Sequence, residues 1–220
     1  MARNNVLSWR DGRGWLVLAG GAAIGSSIRA QAIGRTAADG GVAYVALGAS
    51  NSIEAVLEDF EDLGAPSGYV VDVLSEDDDT IRSKLAEAGM VVISTDSDAE
   101  TMHSGLLGAA AQGMELAFAS GALILVEGVG SAVLGEMFVS SRGEYFNGLG
   151  WLDHALVLPG VVSIAETQVA RAALVDHPSL MLIGIGDGSA LALGPDGEFE
   201  LWGDKQVTVA IGHSYTSSVA

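Results

Sequence analysis

The first two thirds of the sequence alternate short apolar runs with segments of helical periodicity. Repeated strand–helix units of this kind form a mostly parallel sheet that carries helices on both faces. We therefore predict an α/β fold, a three-layer α/β/α sandwich, with functional groups in the loops at the carboxyl ends of the strands. The predicted strands are residues 14–19, 42–47, 68–73, 90–93 and 122–126, and the predicted helices are residues 26–38, 52–63, 76–88 and 99–120, the last as one helix or two.

The last third of the sequence is rich in apolar segments of strand length. A helix is predicted at residues 165–175, and Pro195, Asp196 and Gly197 have the composition of a hairpin turn. No linker, internal repeat or low-complexity segment interrupts the chain, so we predict that residues 1–220 form one domain. The predicted strands are residues 155–158, 180–185, 189–193, 198–202 and 207–211.

The charge balance excludes several classes of partner and site. The chain has 28 Asp and Glu against 10 Lys and Arg, a formal net charge of −18, which argues against nucleic acid because phosphate binding needs clustered cations. It has no cysteine, which excludes disulfides, thiolate metal sites and a cysteine nucleophile. The four histidines are not spaced to share a metal on a helix face, so we expect neither a metal nor a cofactor. His154 is the histidine placed closest to a catalytic position.

The chain is more apolar than a domain of its size requires. Charged residues make up 17% of it, and the mean hydropathy is +0.38. No apolar run reaches the roughly 18 residues of a bilayer span, and residues 1–13 lack a signal-peptide core, so we expect no membrane span and, by default, a cytoplasmic location. The apolar excess then belongs at a subunit interface, which makes a second copy of the chain the expected partner.

Residues 123–135 have the form of a strand that enters a tight glycine-rich turn and continues into a helix. In hydrolases this turn holds the nucleophile, because small neighbouring residues allow a strained backbone to expose a serine. Such turns are also common in α/β folds without this function. The turn alone therefore does not identify an activity.

Over nearly its whole length, the sequence resembles the cyanophycinase and aspartyl dipeptidase family of serine peptidases. The framework that carries the resemblance comprises residues 15–21, 42–50, 148–178, 184–191 and 206–209. The resemblance implies a fold similar to the class I glutamine amidotransferase domain. It also implies positions for a nucleophile, a histidine base and an acid.

The family's nucleophile motif, similar to Gly-Thr-Ser-Ala-Gly-Ala-Ala-Val-Met, overlays without gaps on residues 126–134. This overlay places Gly128 where the family has its serine, and Gly130 keeps a family glycine. A shift of three residues would put Ser131 at the turn but would break the match. We therefore predict that Ser131 is an early helix residue, and it is the fallback nucleophile.

The resemblance implies that the histidine base is missing as well. The family's Asp-Gln-His-Phe-like motif falls on residues 158–161, which places Gly160 at the histidine position. The family's acid corresponds to Asp187. The loop that forms the oxyanion hole and substrate pocket in the family overlays on residues 94–98, where Thr95 and Asp96 replace two glycines. A carboxylate there would repel a developing oxyanion.

Three functions remain open at this stage. The favoured one is a non-catalytic relative of these peptidases that serves as an oligomeric or self-assembling structural protein. The first alternative is a small-molecule or cation-binding protein that uses the vestigial pocket, although structural roles suit the same residues better: Asp96 and Asp98 as caps of the following helix, and Asp187 as a residue that fixes a hairpin. The second alternative is an active serine hydrolase in which Ser131 or another serine has taken over. The candidate ligand-binding residues are Thr95, Asp96, Asp98 and Glu127, beside the vestigial positions Gly128, Gly160 and Asp187.

Overall fold

The structure, a computed structural model, describes residues 6–21, 26–36, 40–48, 51–94 and 96–216. The strands, in chain order, are β1 (Ser8–Trp9), β2 (Trp15–Ala19), β3 (Val42–Ala46), β4 (Gly68–Asp72), β5 (Met90–Ile93), β6 (Leu123–Glu127), β7 (Met137–Val139), β8 (Tyr145–Asn147), β9 (Leu152–Asp153), β10 (Ala155–Pro159), β11 (Met181–Ile185), β12 (Ser189–Leu193), β13 (Phe199–Gly203) and β14 (Val207–Ile211). The helices are α1 (Ser27–Arg35), α2 (Asn51–Asp62), α3 (Asp78–Ala86), α4 (Ala99–Leu106), α5 (Ala109–Ser120), α6 (Val129–Val133) and α7 (Gln168–Asp176).

The central sheet has seven strands in the order β13-β12-β2-β6-β5-β3-β4. The five strands β2, β6, β5, β3 and β4 are mutually parallel. β12 and β13 extend the sheet at one side as antiparallel strands. This arrangement confirms the predicted α/β fold with a mostly parallel sheet.

Helices cover both faces of the central sheet, which gives the predicted three layers. The side chains of β2 alternate between the two faces: Val17 packs with residues of α1 and α2, whereas Leu16 and Leu18 pack with residues of α3, α4 and α5. Alternation of this kind is required when both faces of a strand are buried. In the described part of the chain, no helix is both long and apolar enough to span a bilayer.

The C-terminal strands divide between two sheets, which the sequence did not predict. β12 and β13 join the central sheet, and the turn of Asp196 and Gly197 between them, both with positive φ, confirms the predicted hairpin. A second sheet has the order β14-β11-β10-β7-β8. One face of this sheet contributes to the same core as the α3–α5 side of the central sheet, and α7 covers the other face.

One detail decides between two predicted alternatives, and another was not predicted. The helical segment from residue 99 is two helices, because Leu107 is extended and Gly108 has φ of 72°. Strands β1, β7, β8 and β9 were not predicted, since two or three residues are too few to establish a period. Strand β1 pairs with β9 and fixes the N-terminal segment to the rest of the fold.

Candidate functional site

The turn after β6 is the tight strand-to-helix turn that the sequence predicts. Gly128 has φ of 60° and ψ of −134°, a conformation that residues with a side chain rarely adopt, and α6 starts at the next residue. The Gly128 N–H donates to the Ala19 carbonyl at 3.1 Å, so the turn is attached to the end of β2. A Cβ at residue 128 would have no neighbouring heavy atom within 4 Å. The backbone therefore leaves room for a side chain where the residue is glycine.

Gly160 and Asp187 lie side by side beyond the ends of β10 and β11. A Cβ at Gly160 would be 3.8 Å from Asp187 Oδ1, and a Cβ at Gly21, just after β2, would be 2.9 Å from the same oxygen. The Asp187 carboxylate is exposed. The structure thus brings Gly160 and Asp187, the two positions that the resemblance pointed to, near the end of β2, to which Gly128 is also bonded.

Ser131, a residue of α6, is fully buried, so its hydroxyl is not exposed at the surface. Its Oγ lies 2.9 Å from the Ala19 carbonyl oxygen and 2.8 Å from the Val126 carbonyl oxygen. The single hydroxyl proton is donated to these backbone acceptors. In this position Ser131 links the ends of β2 and β6.

The histidine singled out from the sequence, His154, lies at the opposite end of β10 from Gly160. The five residues of β10 separate the two positions, and the six steps from residue 154 to residue 160 span about 20 Å at the usual rise. The His154 Nδ1 atom is 3.1 Å from Glu136 Oε2. His103 on α4 packs against Phe138, and burial lowers the pKa of its imidazole despite a hydrogen bond with the Gly148 backbone.

The loop after β5 carries two predicted ligand carboxylates, Asp96 and Asp98. One of them, Asp98, caps the helix that follows. Asp98 is the N-cap of α4: its Oδ1 accepts the Thr101 N–H at 2.9 Å and its Oδ2 accepts the Thr101 hydroxyl at 3.1 Å. These hydrogen bonds lower the pKa of Asp98 below its ordinary value. Asp96 is exposed, and the predicted site residue Thr95 lies outside the described residues.

A buried ion cluster lies directly behind the turn, and Glu127 belongs to it. Arg29 of α1 donates from Nε to Glu127 Oε1 at 2.9 Å and from Nη2 to Glu127 Oε2 at 2.6 Å. Its Nη1 donates to Asp59 Oδ2 at 2.7 Å, and Ser94 Oγ lies 3.5 Å from Nη2. The three charged side chains are 1% to 5% exposed. Glu127, predicted from the sequence to bind a ligand, is therefore buried as a partner of Arg29.

The electrostatics of this cluster make each member depend on the others. Burial alone would lower the pKa of Arg29, but hydrogen bonds and charge from Glu127 and Asp59 outweigh burial and raise it. The charges come from α1, α2 and β6, and Ser94 follows β5 directly. The cluster fixes the strand ends that precede both Gly128 and the 95–98 loop. We call it the Arg29 cluster.

Sequence reasoning missed the Arg29 cluster, although one signal for it existed. Arg29 falls between Ile28 and Ala32 on the buried side of α1, where a cation needs a partner. Nothing in the sequence names that partner, because Asp59 and Glu127 lie 30 and 98 residues away. Among the residues that the structure describes, no group of three or more His, Asp or Glu could hold a metal ion.

Comparison with known proteins identifies the fold. No protein-family model matches the sequence, and no curated protein matches it significantly. The crystal structure of a peptidase from an acI-B1 actinobacterium is similar with a TM-score of 0.75 and 20% identity, covering 96% of each chain. A protein from Listeria monocytogenes EGD-e assigned as peptidase E is similar with a TM-score of 0.60 and 14% identity, covering 90% of this chain and 98% of its own. The chain thus has the fold of these peptidases.

Replacing the buried cation should destabilise the protein strongly. We expect Arg29→Leu to lower the free energy of unfolding by about 3–5 kcal/mol, because it leaves Asp59 and Glu127 buried without their counter-charge. The matched control is Arg82→Leu, which removes an exposed pair with Asp79 and should cost less than about 1 kcal/mol. Urea unfolding followed by circular dichroism measures both. Equal losses would contradict the central role given to the cluster.

Proposed function

We propose that this protein is a non-catalytic relative of the cyanophycinase-like serine peptidases and that it acts by association with further copies of itself. The observation that carries the first half is the glycine at residue 128, which has the backbone conformation of a nucleophile turn but no hydroxyl. The second half rests on the low content of charge and on apolar side chains left at the surface.

The loss of two groups together supports the non-catalytic reading. A serine becomes reactive only when a base takes its proton, and the base is held in position by the acid. Here Asp187 remains beside Gly160, which has no imidazole, and Gly128 has no hydroxyl. A lone carboxylate beside two glycines has no nucleophile to activate.

Peptidase activity is one alternative, and both solved neighbours are described as peptidases. It would need a nucleophile other than residue 128. Ser131 is the nearest candidate in the sequence, but its hydroxyl is buried and bonded to two backbone carbonyls. A nucleophile must reach both the substrate and a base, and neither is available at such a position.

A small-molecule or cation-binding role at the vestigial pocket is the other alternative. It would draw on Asp96, Asp98, Glu127 and Asp187. Asp98 is occupied as a helix cap and Glu127 as a partner of Arg29. This leaves two exposed carboxylates, Asp96 and Asp187, which is a weak ligand set for a cation.

A fluorophosphonate probe tests the chemical half of the proposal. We expect no covalent adduct on the folded wild-type protein by intact-mass measurement, because Gly128 has no hydroxyl and the Ser131 hydroxyl is buried against two backbone carbonyls. A serine peptidase run in parallel shows that the probe is reactive, and Ser131→Ala is the matched variant. A stoichiometric adduct on Ser131, absent from Ser131→Ala, would overturn the proposal.

Sedimentation velocity tests the second half. The chain mass is 22.4 kDa, and we expect a heavier species at micromolar concentration. Because each copy carries a formal charge of −18, association should strengthen with salt as the screening length falls from roughly 30 Å at 0.01 M to 3 Å at 1 M. A monomer at both salt concentrations would contradict the self-association.

A further inference from the structure

The two C-terminal strands, β13 and β14, each form the edge of a sheet, and both border the same groove. β13 is the outer strand of the central sheet and β14 is the outer strand of the second sheet. Only residues 204–206 separate them along the chain. Within the described residues, neither outer edge pairs with another strand. Unpaired edges are sites where another chain can add.

An apolar groove of about 460 Å³ opens between these edges. Phe199 and Leu201 of β13 line it from the central sheet, and Val207 and Val209 of β14 line it from the second sheet. Leu191 and Ile183 lie at its base. Among the residues that the structure describes, no charged side chain lines the groove, although the chain has 28 acidic residues. The acidic residue of β13, Glu200, is bonded instead to Arg35 and to the Trp202 indole.

The rim of the groove exposes large apolar side chains. Phe199 is 70% exposed, Val209 55% and Val6 56%. Ile211, which is 53% exposed, is the strand partner of the lining residue Met181 and shares one face of β14 with Val207 and Val209. With side chains of this size, the four together expose on the order of 400 Å² of apolar surface. A standard interface removes roughly 800 Å² from each partner, of which somewhat more than half is apolar. The exposed area is thus close to the apolar part of one side of a stable dimer.

We propose that this face, formed by Val6, Phe199, Leu201, Val207, Val209 and Ile211, is the surface through which two copies of the chain associate about a twofold axis. We call it the edge face. Phe199 of each copy enters the groove of the other. The inference rests on the proposed self-association and names the surface that performs it.

Shape and charge both favour a second copy as the occupant. A twofold contact requires one face to complement itself, and the edge face carries both a protruding aromatic ring and a groove that can receive one. Two chains of charge −18 repel each other over most of their surfaces, so they approach best where charge is absent. The groove lining meets that condition.

The test compares two charge-matched variants by sedimentation velocity over a range of concentrations. Phe199→Glu places a carboxylate in the edge face, and Val175→Glu places one on α7, where Val175 is 77% exposed. We expect wild type and Val175→Glu to associate equally and Phe199→Glu to associate at least about 30-fold more weakly, as for an interface anchor. Ile211→Glu on β14 should weaken association as well. Circular dichroism and thermal melting establish that each variant is folded.

The outcomes separate this inference from the proposal on which it rests. If wild type is a monomer throughout, the proposed self-association and the edge face both fail. If wild type associates and folded Phe199→Glu and Ile211→Glu associate equally well, the edge face is wrong while self-association stands. If Val175→Glu weakens association as much as Phe199→Glu, the effect is one of net charge, and the edge face is again overturned.

Discussion

The pairing of Arg29 with Glu127 and Asp59 is the interaction on which the arrangement of the site depends. Two carboxylates in an apolar interior carry a large desolvation cost, and one guanidinium with three short hydrogen bonds offsets it. The groups come from two helices and a strand that are distant in sequence. Their pairing fixes α1 and α2 against the central sheet and sets the position of Glu127, the residue before the Gly128 turn.

Glycine at residue 128 allows the sharp turn after β6 to form without backbone strain. At φ of 60° and ψ of −134°, a residue with a side chain has backbone strain of about 1–3 kcal/mol, whereas glycine adopts this conformation freely. The turn is also held from both sides, by the bond from Gly128 N–H to Ala19 and by the Ser131 hydroxyl between the Ala19 and Val126 carbonyls. The backbone of this turn is therefore fixed without any contribution from a side chain at residue 128.

The sequence predicted most of the elements but not how the sheets assemble. Strands such as β11 and β14 coincide with predicted apolar runs to within one residue, because a buried strand needs an unbroken or alternating apolar pattern. The same pattern does not say which sheet a strand joins, so the division of the C-terminal strands was not foreseen. The resemblance pointed to Gly160 and Asp187, which lie together, whereas Arg29 and Asp59 pair through contacts that no local pattern encodes.

The central claim is that residue 128, and not residue 131, is accessible at the turn after β6. Its most direct test measures the accessibility of both positions. Because the chain has no cysteine, Gly128→Cys and Ser131→Cys each create a single thiol that can be followed with a thiol reagent. In the native protein we predict rapid modification of the Gly128→Cys variant and protection of the Ser131→Cys variant, whose position is fully buried. Both should react equally in denaturant. Native modification of the Ser131→Cys thiol, with protection at residue 128, would contradict the account.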